Sequence, residues 1–207
     1  MAKFPTKNIK VGPAELRWLF INGEGSLNDM GDTPRYEYKA TAVLPLDKAK
    51  PFMDELGKMW LDYNSGKKVK AKSMGYKIEE DEEGNKTGMV TFTFKTNTKF
   101  VKADGSEQPT VVRVFRANGQ EITKQFHEVE KKAANDSEGI IHGTAAIYDR
   151  NAAARGITLY LSAVQFTKFI EYQGSVQVES VGDVDDGLDG DDGLDVAPVS
   201  PENTPDI

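Results

Sequence analysis

The chain has 207 residues, of which 38% are hydrophobic, with two histidines and no cysteine. This composition favours one domain of roughly 180 residues with its own core, and it excludes disulfides, thiol catalysis and thiolate metal sites. The 26 Lys and Arg are outnumbered by 33 Asp and Glu, but ten of the acids lie in residues 179–207, which contain no Lys or Arg. The sequence therefore predicts a basic domain at 1–178, with 26 basic against 23 acidic side chains and a net charge of +3, and an acidic tail at 179–207.

The first ten residues, MAKFPTKNIK, are polar and lack the apolar stretch of a signal peptide. No apolar run elsewhere approaches the roughly 20 residues that a membrane helix needs. We therefore expect an intracellular protein with no transmembrane segment.

The first part of the chain is predicted to form two strands and a helix. Residues 14–21 and 36–44 are rich in aromatic and β-branched residues, and a glycine-rich loop separates them. After Asp47, apolar residues follow at spacings of three and four as far as Tyr63, and Gly66 stops the pattern. This spacing predicts one amphipathic helix after the second strand.

The rest of the basic domain is predicted to be strands. They lie at residues 69–79, 89–96, 110–116, 139–148 and 156–170, and a highly charged turn at 80–86 joins the first two. Short connections imply mostly antiparallel pairing, and a closed barrel removes exposed strand edges. The fold expected from the pattern is mainly β, a closed or nearly closed barrel of six or seven strands with one inserted α-helix. We expect His142 to be a barrel residue, and the following aromatic residues to lie mostly in the core: Phe20, Phe92, Phe94 and Phe166.

The tail contains the repeated pattern Asp-Asp-Gly-Leu-Asp, at residues 185–189 and 191–195, followed by three prolines. Charge of one sign, glycine and proline cannot support a core, so the tail is predicted to be disordered. The repeat lacks the ligand spacing of an EF-hand loop, and calcium binding is not expected.

Aromatic residues alternate with Lys and Arg in several predicted strands. On a sheet, such residues offer rings that stack on bases and cations that meet phosphates. Tyr76, Phe115 and Tyr148 are the aromatic residues best placed for stacking, because charged residues flank them on the same face. The full set of candidate DNA-binding residues is Arg17, Trp18, Lys39, Tyr76, Lys77, Lys95, Arg113, Phe115, Arg116, Tyr148, Arg150 and Lys168.

The sequence contains no recognisable catalytic motif. Residues 23–28 lack the third glycine of a dinucleotide fingerprint, and Gly66-Lys67-Lys68 lacks the Ser or Thr of a P-loop. Neither His127 nor His142 lies in the context of a serine nucleophile. We therefore predict no catalytic residue, no metal and no cofactor.

Two alternatives remain open from the residues alone. A metal-dependent nuclease needs only a few convergent carboxylates, for which Asp149, Glu128 and Glu130 are available. A non-enzymatic virion or interaction protein, solubilised by its acidic tail, would also have this composition.

Three stretches and the tail together resemble the single-stranded DNA-binding proteins of tailed phages, a family formerly catalogued as a phage domain of unknown function. The most specific stretch is GITLYLSAVQF at 156–166, preceded by Tyr148-Asp149; the others are Trp18-Leu19-Phe20 and the strand at 36–45. The resemblance extends from about Val11 to Glu171 and implies an OB-fold-like five-stranded barrel with extra strands or a hairpin and one inserted α-helix.

The resemblance also implies a function, namely sequence-independent binding of single-stranded DNA in replication, recombination or repair, in the cytoplasm of the infected bacterial host. The tail is expected to compete with DNA and to recruit a polymerase, helicase or primase, although it ends in isoleucine where many such tails end in an aromatic residue. The tail residues expected to meet partners are Asp185, Asp186, Asp189, Asp191, Asp192, Asp195, Asp206 and Ile207.

Overall fold

The computed structural model describes residues 4–29, 34–129, 132–151 and 153–172. By its internal contacts the chain divides into Met1–Gln173 and Gly174–Ile207. The predicted tail, its disorder and its boundary at residue 178 lie outside the described residues and stay predictions.

The described part contains eleven strands and two helices. In chain order they are β1 (Thr6–Phe20), β2 (Ser26–Asn28), β3 (Arg35–Pro45), α1 (Leu46–Tyr63), β4 (Ser73–Met74), β5 (Lys77–Glu80), β6 (Lys86–Asn97), β7 (Lys99–Val101), β8 (Glu107–Pro109), β9 (Arg113–Phe115), α2 (Thr123–Glu128), β10 (Ser137–Asn151) and β11 (Ala154–Lys168).

Five strands close into a barrel. β1 pairs with β3 and β10, β3 pairs with β6, and β10 pairs with β11, all antiparallel. β6 and β11 complete the ring through a parallel contact between Lys95 and Tyr160. A closed five-stranded ring of this kind is the OB-fold. The predicted barrel is therefore confirmed, with β2, β4, β5, β9 and the separate β7–β8 hairpin as additions.

Alternation along the strands fills the barrel with apolar side chains. Phe92 and Phe94 on β6 are fully buried and Phe166 on β11 is nearly so, as predicted. The prediction for Phe20 was wrong, because its side chain is 41% exposed. Simple alternation from the buried Leu16 would turn Phe20 inward, but the β1–β3 register shifts between residues 17 and 20 and reverses the faces.

The inserted helix is α1, which begins and ends close to its predicted limits. It buries Ala49, Leu56 and Trp60, and the Trp60 indole N–H donates to the Val69 carbonyl at 2.7 Å. The shorter α2 was not predicted; it buries Phe126. None of the described helices is long and apolar enough to cross a membrane.

One edge of β11 is occupied by three strands in succession. β4 pairs with it at Gly156, β6 at Tyr160 and β9 at residues 163–165, all in parallel. The single strand predicted at 69–79 is instead divided into β4 and β5, with Gly75 at φ 82° between them. The β11 surface is therefore flanked by segments that are far apart in the sequence.

Candidate nucleic-acid interface

A row of aromatic and cationic side chains crosses four strands of the barrel. Lys39 on β3 is opposite Phe20 of β1 and Lys95 of β6, and Lys95 is opposite Tyr160 of β11. Residues directly opposite each other in a sheet present their side chains on one face. The neighbours of Lys39 along β3 are buried, and Phe20 and Tyr160 are 41% and 50% exposed, so this face is the outer one.

Trp18 extends the row on β1. Its backbone has φ 54°, in the left-handed region that bulky residues seldom adopt. The backbone N–H of Trp18 donates to the Asn135 side-chain oxygen at 3.1 Å. This irregularity leaves the indole 55% exposed, and the Lys39 ammonium lies 5.8 Å from the ring centre. We use the name cation–aromatic row for five residues, namely Trp18, Phe20, Lys39, Lys95 and Tyr160.

The two lysines of the row have different electrostatic surroundings. Lys95 donates to the Glu37 carboxylate at 2.6 Å, and Asn28 donates to the same carboxylate at 2.9 Å. Burial raises the pKa of Glu37. The two hydrogen bonds and the nearby cations lower this pKa by more than burial raises it, so the net shift is downward and the carboxyl group is ionised. Burial and the charge of Lys95 lower the pKa of Lys39. A phosphate placed between the lysines would relieve this repulsion.

At one end of β11, the row continues into the β10–β11 connection. Tyr148, Arg150 and Tyr160 line a single cavity of about 390 Å³. Arg150 is exposed, and in the described residues it takes part in no ion pair. The Tyr148 ring and Arg150 thus lie next to Tyr160, a member of the row.

Toward the other end of β11, β9 adds a second cation and ring. Arg113 and Phe115 are opposite Ala163 and Gln165, about 10 Å or more along the strand from Tyr160. The Arg113 guanidinium lies 4.9 Å from the centre of the Phe115 ring. It also donates to both oxygens of Glu121, at 3.1 and 2.6 Å, and this pairing, with a hydrogen bond from Thr123, lowers the pKa of Glu121 to about 2.

Solved structures share this barrel over most of the chain. The single-stranded DNA binding protein gp2.5 of bacteriophage T7 matches with a TM-score of 0.55 and 16% identity, over 84% of this chain and 98% of gp2.5. The C-terminally truncated single-stranded DNA-binding protein of bacteriophage Enc34 gives a TM-score of 0.54 and 15% identity, over 78% of this chain and 85% of its own. The Enc34 protein in complex with ssDNA gives 0.50 and 16%, over 81% and 89%.

The chain has the fold of phage single-stranded DNA-binding proteins. The resemblance inferred from the sequence is thus confirmed at the level of the fold. No family model and no curated protein matches the sequence.

On this phage fold, some of the predicted binding residues lie apart from the row or are engaged elsewhere. Arg17 is paired with Glu15 and Glu79. Tyr76 is half-buried, with its ring 5.9 Å from that of Phe92 in the core. Lys77 lies on β5, opposite Thr91 of β6, and the Lys168 ammonium lies 3.6 Å from the Glu138 carboxylate.

Sequence reasoning missed two members of the row, Phe20 and Tyr160. Tyr160 is flanked by the buried Leu159 and Leu161, so alternation along GITLYL carried the signal that its ring faces outward. Phe20 had no comparable signal, because its exposure depends on the local irregularity at Trp18.

The carboxylates considered for a nuclease site make ordinary contacts. Asp149 accepts a hydrogen bond from the Tyr63 hydroxyl at 3.1 Å, and Glu128 lies 3.7 Å from Lys124. Glu130 is outside the described residues. Within the described ranges, no group of three or more His, Asp or Glu is placed to hold a metal ion.

Proposed function

We propose that this protein binds single-stranded DNA without sequence preference, along the cation–aromatic row and the outer surface of β11. The observation that carries the proposal is the row itself. Rings and cations from four strands, remote in sequence, lie side by side on the outer face of an OB-fold barrel. This pairing of stacking surfaces with cations is how sequence-tolerant single-strand binding works.

Each part of the row has a distinct role in the proposal. Trp18, Phe20 and Tyr160 stack on bases, which every base allows because each has a π-face. Lys39 and Lys95 meet the phosphates, and contact with a phosphate offsets their mutual repulsion. Arg150 extends the positive surface at one end of β11. At the other end Arg113 is paired with Glu121, and it contributes when a phosphate replaces that carboxylate.

The wider role belongs to the same proposal. The protein coats single strands during phage replication, recombination or repair in the cytoplasm of the infected bacterium, and it does no chemistry on them. The acidic tail at 179–207 competes with DNA for the basic surface and recruits a polymerase, helicase or primase. The net charge of +3 on residues 1–178 and the ten carboxylates of the tail support this arrangement.

Titration of fluorescent oligo-dT at several salt concentrations tests the binding proposal. Release of counterions from single strands gives a slope of log K against log salt of about −0.7 per phosphate contact. With Lys39, Lys95 and Arg150 in contact, and Arg113 when a phosphate replaces Glu121, we expect a slope of about −2 to −3. Duplex DNA of the same length should bind more weakly, because its paired bases do not offer their faces for stacking.

Two outcomes of that titration would contradict the proposal. Absence of oligo-dT binding at low salt would favour a virion or interaction protein. Shortening of the oligonucleotide when magnesium is added would instead indicate a nuclease.

A further inference from the structure

An apolar cavity of about 560 Å³ lies between α2, the end of β11 and β9. Its walls are largely aromatic. Phe126 stacks on Phe166 with ring centres 6.0 Å apart and planes at 24°, and Phe169 meets both rings edge-on. Phe115 of β9 lines the same space, so the cavity is reached directly from the surface that carries Arg113.

Polar groups are confined to a few positions of the cavity. Arg116, Gln125 and Thr167 line it, and Arg116 takes part in no ion pair with the described residues. The turn that holds Arg116 is fixed against β11, because the Gln165 amide donates to the carbonyls of Arg116 and Ala117 at 3.4 and 3.1 Å. The cavity is therefore preformed, and Arg116 on its lining has no ion-pair partner within the described ranges.

These features suit an occupant that is flat, aromatic and attached to a negative charge. A nucleobase can pack on the rings of Phe115 and Phe169, which are partly exposed, whereas Phe126 and Phe166 are buried. The base also offers polar edges to Gln125 and Thr167. Its phosphate supplies an anion for Arg116, which has no ion-pair partner among the described residues. An aliphatic side chain would contact the walls but leave Arg116 without a partner. The cavity also adjoins the proposed DNA path, since its Phe115 wall lies under the Arg113 guanidinium.

We propose that this cavity takes one nucleobase of the bound strand, with Arg116 on the adjoining phosphate. The inference rests on the proposed function and adds a discrete base subsite to a surface that otherwise binds by stacking. It predicts that part of the affinity depends on a base being present, and that this part is lost when the cavity is filled.

The test fills the cavity and removes the base independently. Val129 lines the cavity and is 59% exposed, so Val129→Trp can block it without disturbing the core. Leu61→Trp, at an exposed position of α1, is the matched control. Affinity is measured for oligo-dT and for an abasic strand of equal length. We expect Val129→Trp to weaken oligo-dT binding about tenfold and leave abasic binding unchanged, with no effect of Leu61→Trp.

A second measurement uses thymidine monophosphate as the probe. Added to the full chain, it should shift the NMR methyl signals of Ile122, which lines the cavity, and Val129→Trp should abolish the shift. Equal effects of Val129→Trp on both strands, or none, would overturn the base subsite while leaving the proposed function intact. A change of oligomeric state in Val129→Trp with unchanged DNA affinity would overturn it too and assign the cavity to self-association. If the unaltered protein binds no oligo-dT, the proposed function fails first.

Discussion

At the scale of single residues, the backbone conformation of Trp18 determines which rings are exposed at one edge of the row. Its left-handed backbone inserts an irregularity into β1, so that Trp18 and Phe20 both face solvent while Leu19 and Ile21 are buried. Residues held in sparsely populated conformations cost free energy and are often found at functional sites. The exposure of two large rings beside Lys39 is consistent with that pattern.

Replacing Trp18 by alanine tests this residue. Loss of a stacked base should weaken oligo-dT binding by about 1–3 kcal/mol, or roughly fivefold to 150-fold. The thermal unfolding midpoint should change little, because the indole is mostly exposed. Tyr172→Ala removes an equally exposed ring outside the row and should leave affinity unchanged. Equal losses in both variants would argue against the row as the binding surface.

Glu37 sets how much of the Lys95 charge is available to DNA. Glu37→Gln removes the carboxylate that Lys95 contacts at 2.6 Å while keeping its shape. We expect tighter oligo-dT binding and a steeper salt slope, by part of the roughly 0.7 that one full phosphate contact contributes. Lys95→Gln should change both quantities in the opposite direction. An unchanged slope in Lys95→Gln would show that Lys95 does not meet a phosphate.

At the scale of elements, the strands were largely predictable and their partners were not. Alternation of apolar residues located β3, β6, β10 and β11, and three-and-four spacing located α1. The strands predicted at 69–79 and 110–116 are shorter in the structure, as β4, β5 and β9, and α2 carries too few residues for a period to be recognised. Tertiary pairing along β11 stabilises β4 and β9, and sequence pattern alone does not encode it.

Two glycine-to-alanine substitutions compare a position on β10 that has no room for a Cβ with a position on α1 that has room. A Cβ on Gly143 of β10 would meet the Tyr160 carbonyl and lie 2.6 Å from Phe94, so Gly143→Ala should destabilise the fold by about 1–3 kcal/mol. A Cβ on Gly57 of α1 meets nothing within 4 Å, so Gly57→Ala should stabilise it by about 1 kcal/mol. Urea unfolding measures both. Similar stabilities for the two variants would contradict the packing of β10 against β11 and Phe94.

At the scale of the whole molecule, the separation of charge is the dominant feature. A +3 segment is joined to one with ten carboxylates and no Lys or Arg. Oligo-dT and the tail are both polyanions, so under the proposed function they compete for the same cations. Salt screens the attraction between the tail and these cations, so the competition weakens as the salt concentration rises.

Deleting residues 179–207 tests that competition. The truncated protein should bind oligo-dT more tightly than the full chain at low salt, and the difference should shrink as salt rises past physiological strength. A matched variant, in which the tail aspartates are replaced by asparagine at equal length, should behave like the deletion. Identical affinities for full-length and truncated protein would rule out competition. Partner recruitment is measured separately, as loss of binding to a replication protein on deletion.

The sequence by itself determined the class of fold, the two-part charge and the kinds of side chain proposed to bind DNA. Alternation, helical spacing and composition are local properties, and they can be read without knowing which strands meet. Only the tertiary structure decided which rings and cations share a surface. Closure of the barrel puts Phe20, Lys39, Lys95 and Tyr160 in one row and leaves Arg17 and Tyr76 engaged elsewhere, because cross-strand register depends on pairing between distant segments and on one left-handed residue at Trp18.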